Sequence, residues 1–215
     1  MRKLLYVISS PRAEASESRA VADAFLAAYR AAEPDVEVDV LDLWQEPLPV
    51  FGGHGVAAKM SVFGGQEPDG AAADAWAGVQ RTFDRVDAAD DYLFAVPMWN
   101  HGVPWVLKHL IDTISQPGLV FGFDPENGYT GLLRDKRAVA VYTGAVWYPG
   151  APRSFGTDFH SPYFRDWLNW AGVEDVEEIR FQPTFGPTVD ADRAAAHARA
   201  RALGTAFARP RALAA

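Results

Sequence analysis

The chain contains no cysteine among its 215 residues. That excludes disulfides, thiolate metal sites and a cysteine nucleophile. Concentrated positive charge is also missing. The formal net charge is −8, and an acidic surface without a basic cluster repels nucleic acid and anionic membranes. The arginines near the C-terminus (Arg193, Arg199, Arg201, Arg209 and Arg211) alternate with alanine at helical spacing and read as a solvated helix face. No apolar run nears the ~20 residues of a membrane-spanning helix. The run within MRKLLYVISSPR is too short for a signal peptide and lacks a small-residue cleavage site, so a cytoplasmic location is expected. The P-loop pattern G-x-x-x-x-G-K-[ST] and the dinucleotide pattern G-x-G-x-x-G are absent. So are the H-E-x-x-H of zinc proteases and the G-x-S-x-G of serine hydrolases. The five histidines, His54, His101, His109, His160 and His197, show no ligand spacing, and no metal site is expected.

What is present alternates between two periods. Short β-rich apolar runs at residues 3–9, 36–41, 91–96, 137–142 and 176–181 read as strands. Between them, residues 18–32, 72–87, 104–115, 159–170 and 190–207 read as helices; in the first, Val21, Ala22, Phe25, Ala28 and Tyr29 form one apolar face. Residues 42–70, rich in proline and glycine, read as a long loop, and 119–133 as a small hairpin. This order predicts a doubly wound α/β fold of one domain over residues 1–215. Its five-stranded parallel sheet would have strand order 2-1-3-4-5, with helices on both faces.

In such a sheet, ligands bind beyond the carboxyl ends of the strands, near the point where strand order reverses. Three loops meet that condition. The first, SSPRAEASES at residues 9–18, places Ser10, Ser16, Glu17 and Ser18 directly before a helix. A helix N-terminus offers free N–H groups and about half a positive charge, so together with serine hydroxyls it holds a phosphate without lysine. For any one of these serines an ordinary N-cap is the simpler reading; the group of them favours an anion site. The second loop runs through Pro97, Met98, Trp99, Asn100, His101 and Gly102, where flat apolar groups precede a loosened backbone able to line an aromatic ring. The third, from Thr143 through Gly144, Ala145 and Val146 to Trp147 and Tyr148, permits close backbone approach at its glycine.

These loops carry a resemblance. PMWNHGVPWVLKHLID at residues 97–112 is similar to the P-M-[YW]-N-[FH]-x-[IV]-P-x-x-L-K motif of the FMN-dependent NAD(P)H quinone reductases and azoreductases of the flavodoxin-like fold. Ser9-Ser10 with SES at 16–18, DLWQEPLPVF at 42–51 and KRAVAVYTGAVW at 136–147 extend the likeness over nearly the whole chain. At the third loop the chain has Thr-Gly-Ala-Val where that family usually has a string like Ser-Arg-Gly-Gly.

The resemblance implies that Ser10 and residues 16–18 bind the FMN phosphate. Residues 97–101 would contact the isoalloxazine ring, and Thr143, Gly144, Ala145 and Val146 its other polar edge. It further implies NAD(P)H as hydride donor, a small aromatic acceptor such as a quinone or azo compound, ping-pong turnover, and a homodimer with its active site at the interface. No catalytic acid–base residue is assigned; His101, Tyr148 and His160 are candidates. A flavodoxin-like electron carrier, a dedicated biosynthetic reductase and a flavin-free binding protein on the same scaffold remain as alternatives.

Overall fold

The computed structural model describes residues 1–209; Arg211 lies outside them. In chain order the elements begin with β1 (Lys3–Ile8), α1 (Glu17–Ala32), β2 (Glu37–Asp42), α2 (Gly53–Phe63) and α3 (Gly70–Asp87). Then come β3 (Asp91–Pro97), α4 (Trp105–Ile114) and the two hairpin strands β4 (Phe121–Asp124) and β5 (Gly128–Gly131). The chain continues through β6 (Arg137–Thr143), α5 (Ser161–Ala171), β7 (Asp175–Phe181) and α6 (Val189–Phe207). The main sheet is parallel, in the order β2-β1-β3-β6-β7, and β4 and β5 pair separately as an antiparallel ribbon. With the hairpin set aside, this is the expected 2-1-3-4-5 order.

The sequence explains the layering. β3 and β6 are buried along almost their whole length because both of their faces are covered, so their runs are continuously apolar rather than alternating. On one face α1 and α6 pack through Val21, Phe25, Tyr29, Ala200 and Leu203. On the other, α4 and α5 pack through Leu107, Leu110, Phe164 and Leu168. The α1–α6 seam is narrow at Gly204, where an added Cβ would stand 2.4 Å from the Phe25 carbonyl oxygen. Gly204→Ala therefore forces two helix backbones apart. We expect a loss of about 1–3 kcal/mol, seen as a fall of several degrees in thermal unfolding followed by circular dichroism.

At the end of the sheet remote from the three loops lies a buried charge network. Arg137 grips Asp91 with two hydrogen bonds of 2.8 Å, and the Tyr29 hydroxyl donates to the same carboxylate at 2.6 Å. Arg2 approaches to 3.4 Å. Arg137 also donates to the Phe207 carbonyl at 2.9 Å and lies over the Phe207 ring, fastening the end of α6.

The expected loop at 42–70 is corrected by the structure: it contains the helix α2. The sequence hides α2 because only Gly55 and Ala58 are buried on it, while Val56, Met60 and Phe63 face outward, so there is no apolar stripe toward the core. Smaller differences lie at the caps. α1 starts one residue early, because Ser16 is its N-cap and accepts from the Arg19 N–H. α5 starts two residues late, because the Asp158 carboxylate takes the N–H groups of His160 and Ser161. Among the described residues, no helix is long and apolar enough to cross a membrane.

Candidate functional site

All three loops leave the same edge of the sheet, at the ends of the adjacent strands β1, β3 and β6. They are hydrogen-bonded to one another. Ser9 donates from its hydroxyl (2.7 Å) and its N–H (3.2 Å) to the Ala95 carbonyl, and the Met98 N–H donates to Thr143 O at 2.7 Å. Trp44, from the segment after β2, donates its indole N–H to Ser9 O at 3.0 Å and packs its ring 5.7 Å from that of Trp99.

In the first loop Ser10, Ser16 and Ser18 are all buried. The Ser16 and Ser18 hydroxyls share a hydrogen bond of 3.2 Å, and Ser10 Oγ accepts a long one from the Arg12 N–H. Among the described residues, the N–H groups of Glu17 and Ser18 meet no protein acceptor. The Glu17 carboxylate faces elsewhere, in an ion pair of 2.9 Å with Arg193 of α6, so Glu17 contributes only its backbone N–H here. Buried hydroxyls plus free N–H groups at the start of a 16-residue helix suit a dianion such as a phosphate monoester.

The second loop is a tight reversal. Trp99 and Gly102 exchange two hydrogen bonds of 2.9 Å, while Asn100 (φ +48°) and His101 (φ +69°) occupy the left-handed region, as a two-residue primed turn requires. The N–H groups of Asn100 and His101 bond to no protein group among the described residues. The far side of the turn is fastened: the Phe159 N–H donates to His101 O at 3.0 Å, and the His101 imidazole lies against Gly156, where a Cβ would stand 2.0 Å from the ring.

The third loop is held by its carbonyls. Thr184 N–H donates to Gly144 O at 2.8 Å and Phe185 N–H to Ala145 O at 3.1 Å. The N–H groups of Gly144 and Ala145 are left without acceptors among the described residues. A Cβ on Gly144 would stand 3.6 Å from that of Met98, which brings loops two and three side by side. Val146 is half exposed and, with Tyr148, Phe155 and Phe185, lines an apolar cavity of about 460 Å³. A larger cavity, of about 1200 Å³, opens beside Trp99, Asn100 and Gly102 and is walled by Phe51, Tyr129 and Phe159. It is wide enough for a flat aromatic ring, and the first-loop serines Ser10, Ser16 and Ser18 do not line it.

Of the candidate acid–base residues, His101 and Tyr148 are exposed, whereas His160 is completely buried. Burial pushes the His160 imidazole down to about 4, with Arg180 adding to the effect and Asp158 opposing it. A neutral buried ring is poorly placed to exchange protons with a substrate. Three contributors were not singled out from the sequence. Trp44 was read only as one of several loop aromatics, although its segment carries part of the family likeness. Thr184 and Phe185 act through backbone N–H groups, which leave no mark on residue type.

The sheet order, the reversal point between β1 and β3 and the three loops at one edge define a flavodoxin-like protein. A family model described as "Flavodoxin-like fold" matches residues 2–203. The chain belongs to the flavodoxin-like family of FMN-dependent NADH:quinone oxidoreductases and azoreductases. It is 50% identical over 199 residues to the FMN-dependent NADH:quinone oxidoreductase of Ruegeria pomeroyi, covering 91% of this chain and 98% of that one. It is 38% identical over 206 residues to the protein of the same name from Desulfotalea psychrophila, covering 96% and 97%. Among solved structures, an azoreductase from Bacillus anthracis superposes with a TM-score of 0.87 at 27% identity, covering 96% of this chain and all of that one.

Proposed function

We propose that this chain is an FMN-dependent NADH:quinone oxidoreductase that also accepts azo compounds. The observation that carries the reading is the set of backbone N–H groups left unpaired among the described residues on three adjacent loops: Glu17 and Ser18, then Asn100 and His101, then Gly144 and Ala145. The first pair, with the buried hydroxyls of Ser10, Ser16 and Ser18, fits a terminal phosphate. The other four fit the polar edge of a ring that gains negative charge on reduction. The names of the similar proteins supply NADH as donor, with quinones and azo compounds as acceptors.

When bound, FMN supplies the two-electron relay from NADH to the acceptor. The chain's residues do the rest. Met98 and Trp99 would form the platform for the ring, and the Trp44 indole braces Trp99 against the first loop. The N–H groups of residues 100, 101, 144 and 145, already fixed in direction, would donate to the polar edge of the ring without reorganisation. The balance is NADH + H⁺ + quinone → NAD⁺ + hydroquinone. One proton per turnover therefore comes from solvent, and His101 and Tyr148, both exposed, are the candidates to pass it on. Donor and acceptor use one ring face in turn, so double-reciprocal plots should be parallel.

We further propose a homodimer. Large apolar side chains of α4, the hairpin and the segment before α5 stand exposed on the walls of the 1200 Å³ cavity: Trp105 is 60% exposed, Tyr129 60% and Phe159 66%. A contiguous apolar face of this kind is an interface signal. Analytical ultracentrifugation should give twice the chain mass.

The test of function is the spectrum of the purified protein, followed by anaerobic NADH. A flavin band that bleaches with NADH and returns with a quinone supports the reading. Colourless protein that takes up no FMN overturns it. Replacing Ser16 and Ser18 together with alanine removes two hydroxyls from the phosphate pocket. Each hydrogen bond to a charged group contributes about 1.5–3 kcal/mol, so the FMN dissociation constant should rise about 10²-fold or more in a fluorescence-quenching titration.

A further inference from the structure

The smaller cavity, of about 460 Å³, adjoins the third loop and is walled by Val146, Tyr148, Phe155, Pro183, Phe185 and Pro187. No charged side chain lines it, whereas Lys59, Lys108 and Asp112 line the 1200 Å³ cavity. Two of its walls start beside groups that address the ring site. Val146 follows Ala145, and Phe155 precedes Gly156, which packs against the His101 imidazole. The Phe155 ring leans on that of Tyr148, with centroids 6.2 Å apart. Phe185 is 76% exposed, and among the described residues no aromatic ring packs on it, although its N–H is tied to Ala145 O. A bare ring on a fixed backbone, beside an apolar recess, is a stacking platform rather than part of the core. Arg153 lies in the same short turn as Phe155. The next carboxylate along the chain, Asp158, pairs with Arg180 at 3.8 Å, and Arg153 has no ion-pair partner among the described residues.

We propose that this recess holds the adenosine end of the NADH donor, with the purine against Phe155 and Phe185 and the pyrophosphate beside Arg153. This rests on the functional reading given above, which supplies NADH as donor. The nicotinamide must reach the ring site between the second and third loops, and the rest of the dinucleotide must leave that site on one side. The side toward Ser10, Ser16 and Ser18 belongs to the FMN phosphate. The side toward Trp105 and Tyr129 is the face proposed above for the second copy, and Asp112 lines it. The third side runs along Val146 into the recess, which is apolar, aromatic and free of carboxylates. A purine stacks on any aromatic face and needs no particular hydrogen-bond partner there. Charge points the same way: the pyrophosphate is a dianion approaching a chain of net charge −8, and Arg153 is an unpaired cation beside the recess.

Two hydride donors separate this recess from the ring site. The FMN complex is mixed anaerobically with NADH or with N-benzyl-dihydronicotinamide, which carries the same hydride and no adenosine. The rate of flavin bleaching against donor concentration gives a second-order rate constant for each. Phe155→Ala should lower the constant for NADH at least about fivefold, the low end of what one base–aromatic stack contributes, and leave that for the truncated donor within about twofold. Arg153→Ala should lower the NADH constant about threefold, and the difference from the parent should fade as salt is raised. ADP-ribose, which has the adenosine and no nicotinamide, should bind the parent complex in calorimetry and bind Phe155→Ala at least about fivefold more weakly. Equal losses for both donors overturn the proposal, because a distorted ring site hinders both. A Phe155→Ala protein with the parent's NADH constant overturns it too. So does one changed only in KM for quinone or in sedimentation, which gives the recess to the acceptor or to a second copy. Should Phe155→Ala not fold, Phe155→Leu keeps apolar volume without the π-face and carries the same expectations; failing both, parent complex that binds no ADP-ribose overturns the proposal. Parent protein that binds FMN and is bleached by NADH while these results fail removes only this inference. Parent protein that binds no FMN removes the functional reading and this inference with it.

Discussion

Replacing Asp91 with alanine should destabilise the fold by about 3–5 kcal/mol, a large share of the 5–15 kcal/mol that holds a typical domain together. The carboxylate is 1% exposed and is the shared acceptor for Arg137, Tyr29 and Arg2. Without it the Arg137 guanidinium stays buried with the Phe207 and Arg209 carbonyls and the Phe207 ring as its close partners among the described residues, and the Tyr29 hydroxyl loses its acceptor. The cost comes from the uncompensated charge rather than from the attraction lost. A second variant makes that explicit: Asp91→Ala combined with Arg137→Met should be less destabilised than Asp91→Ala alone. Urea denaturation of both, with the slope checked for constancy, gives the answer. Equal or greater loss in the double variant would show that packing, not charge, dominates. Because the network lies at the end of the sheet away from the loops, folded Asp91→Ala protein should bind FMN normally.

Acid should weaken the folded protein by about 3 kcal/mol between pH 6.5 and 4, through His160 alone. Its folded value of about 4 lies below the ordinary 6.5 because burial disfavours the charged ring. In that window the unfolded chain binds a proton there and the folded chain does not, so stability rises with pH. The contribution is complete above pH 6.5, declines as pH falls and is gone near pH 4. Asp39, held below the usual carboxylate range by Arg85, loses its contribution only at lower pH. Denaturant midpoints at half-unit steps from pH 7 to 4 should slope in the parent and flatten in His160→Gln. An unchanged slope would assign the acid sensitivity elsewhere.

Much of the architecture could be read directly. The doubly covered strands β3 and β6 announce themselves as unbroken apolar runs, and the alternation of strand and helix fixed the sheet order. What escaped reading depends on distant partners. α2 lacks a core-facing stripe because its apolar side chains point away from the main sheet. Glu17 sits in the serine string, yet its carboxylate belongs to Arg193, 176 residues away in sequence. In the sequence His160 stands at the head of a helix as a candidate acid–base residue; only the packing of Tyr142 and α5 shows it sealed inside. At the site itself, the serines and the turn residues were visible as residue types. The free N–H groups were not, because a peptide's direction is set by where its neighbour's carbonyl is held.

The contact of Trp44 with Trp99 and Trp105 gives this molecule a built-in optical gauge. The Trp99 and Trp105 rings lie 5.7 and 5.6 Å from that of Trp44, close enough to share excitation with it. A yellow chromophore resting on Trp99 would drain emission from the whole trio. Steady-state fluorescence can then report occupancy of the loops continuously, without turnover and without any attached dye.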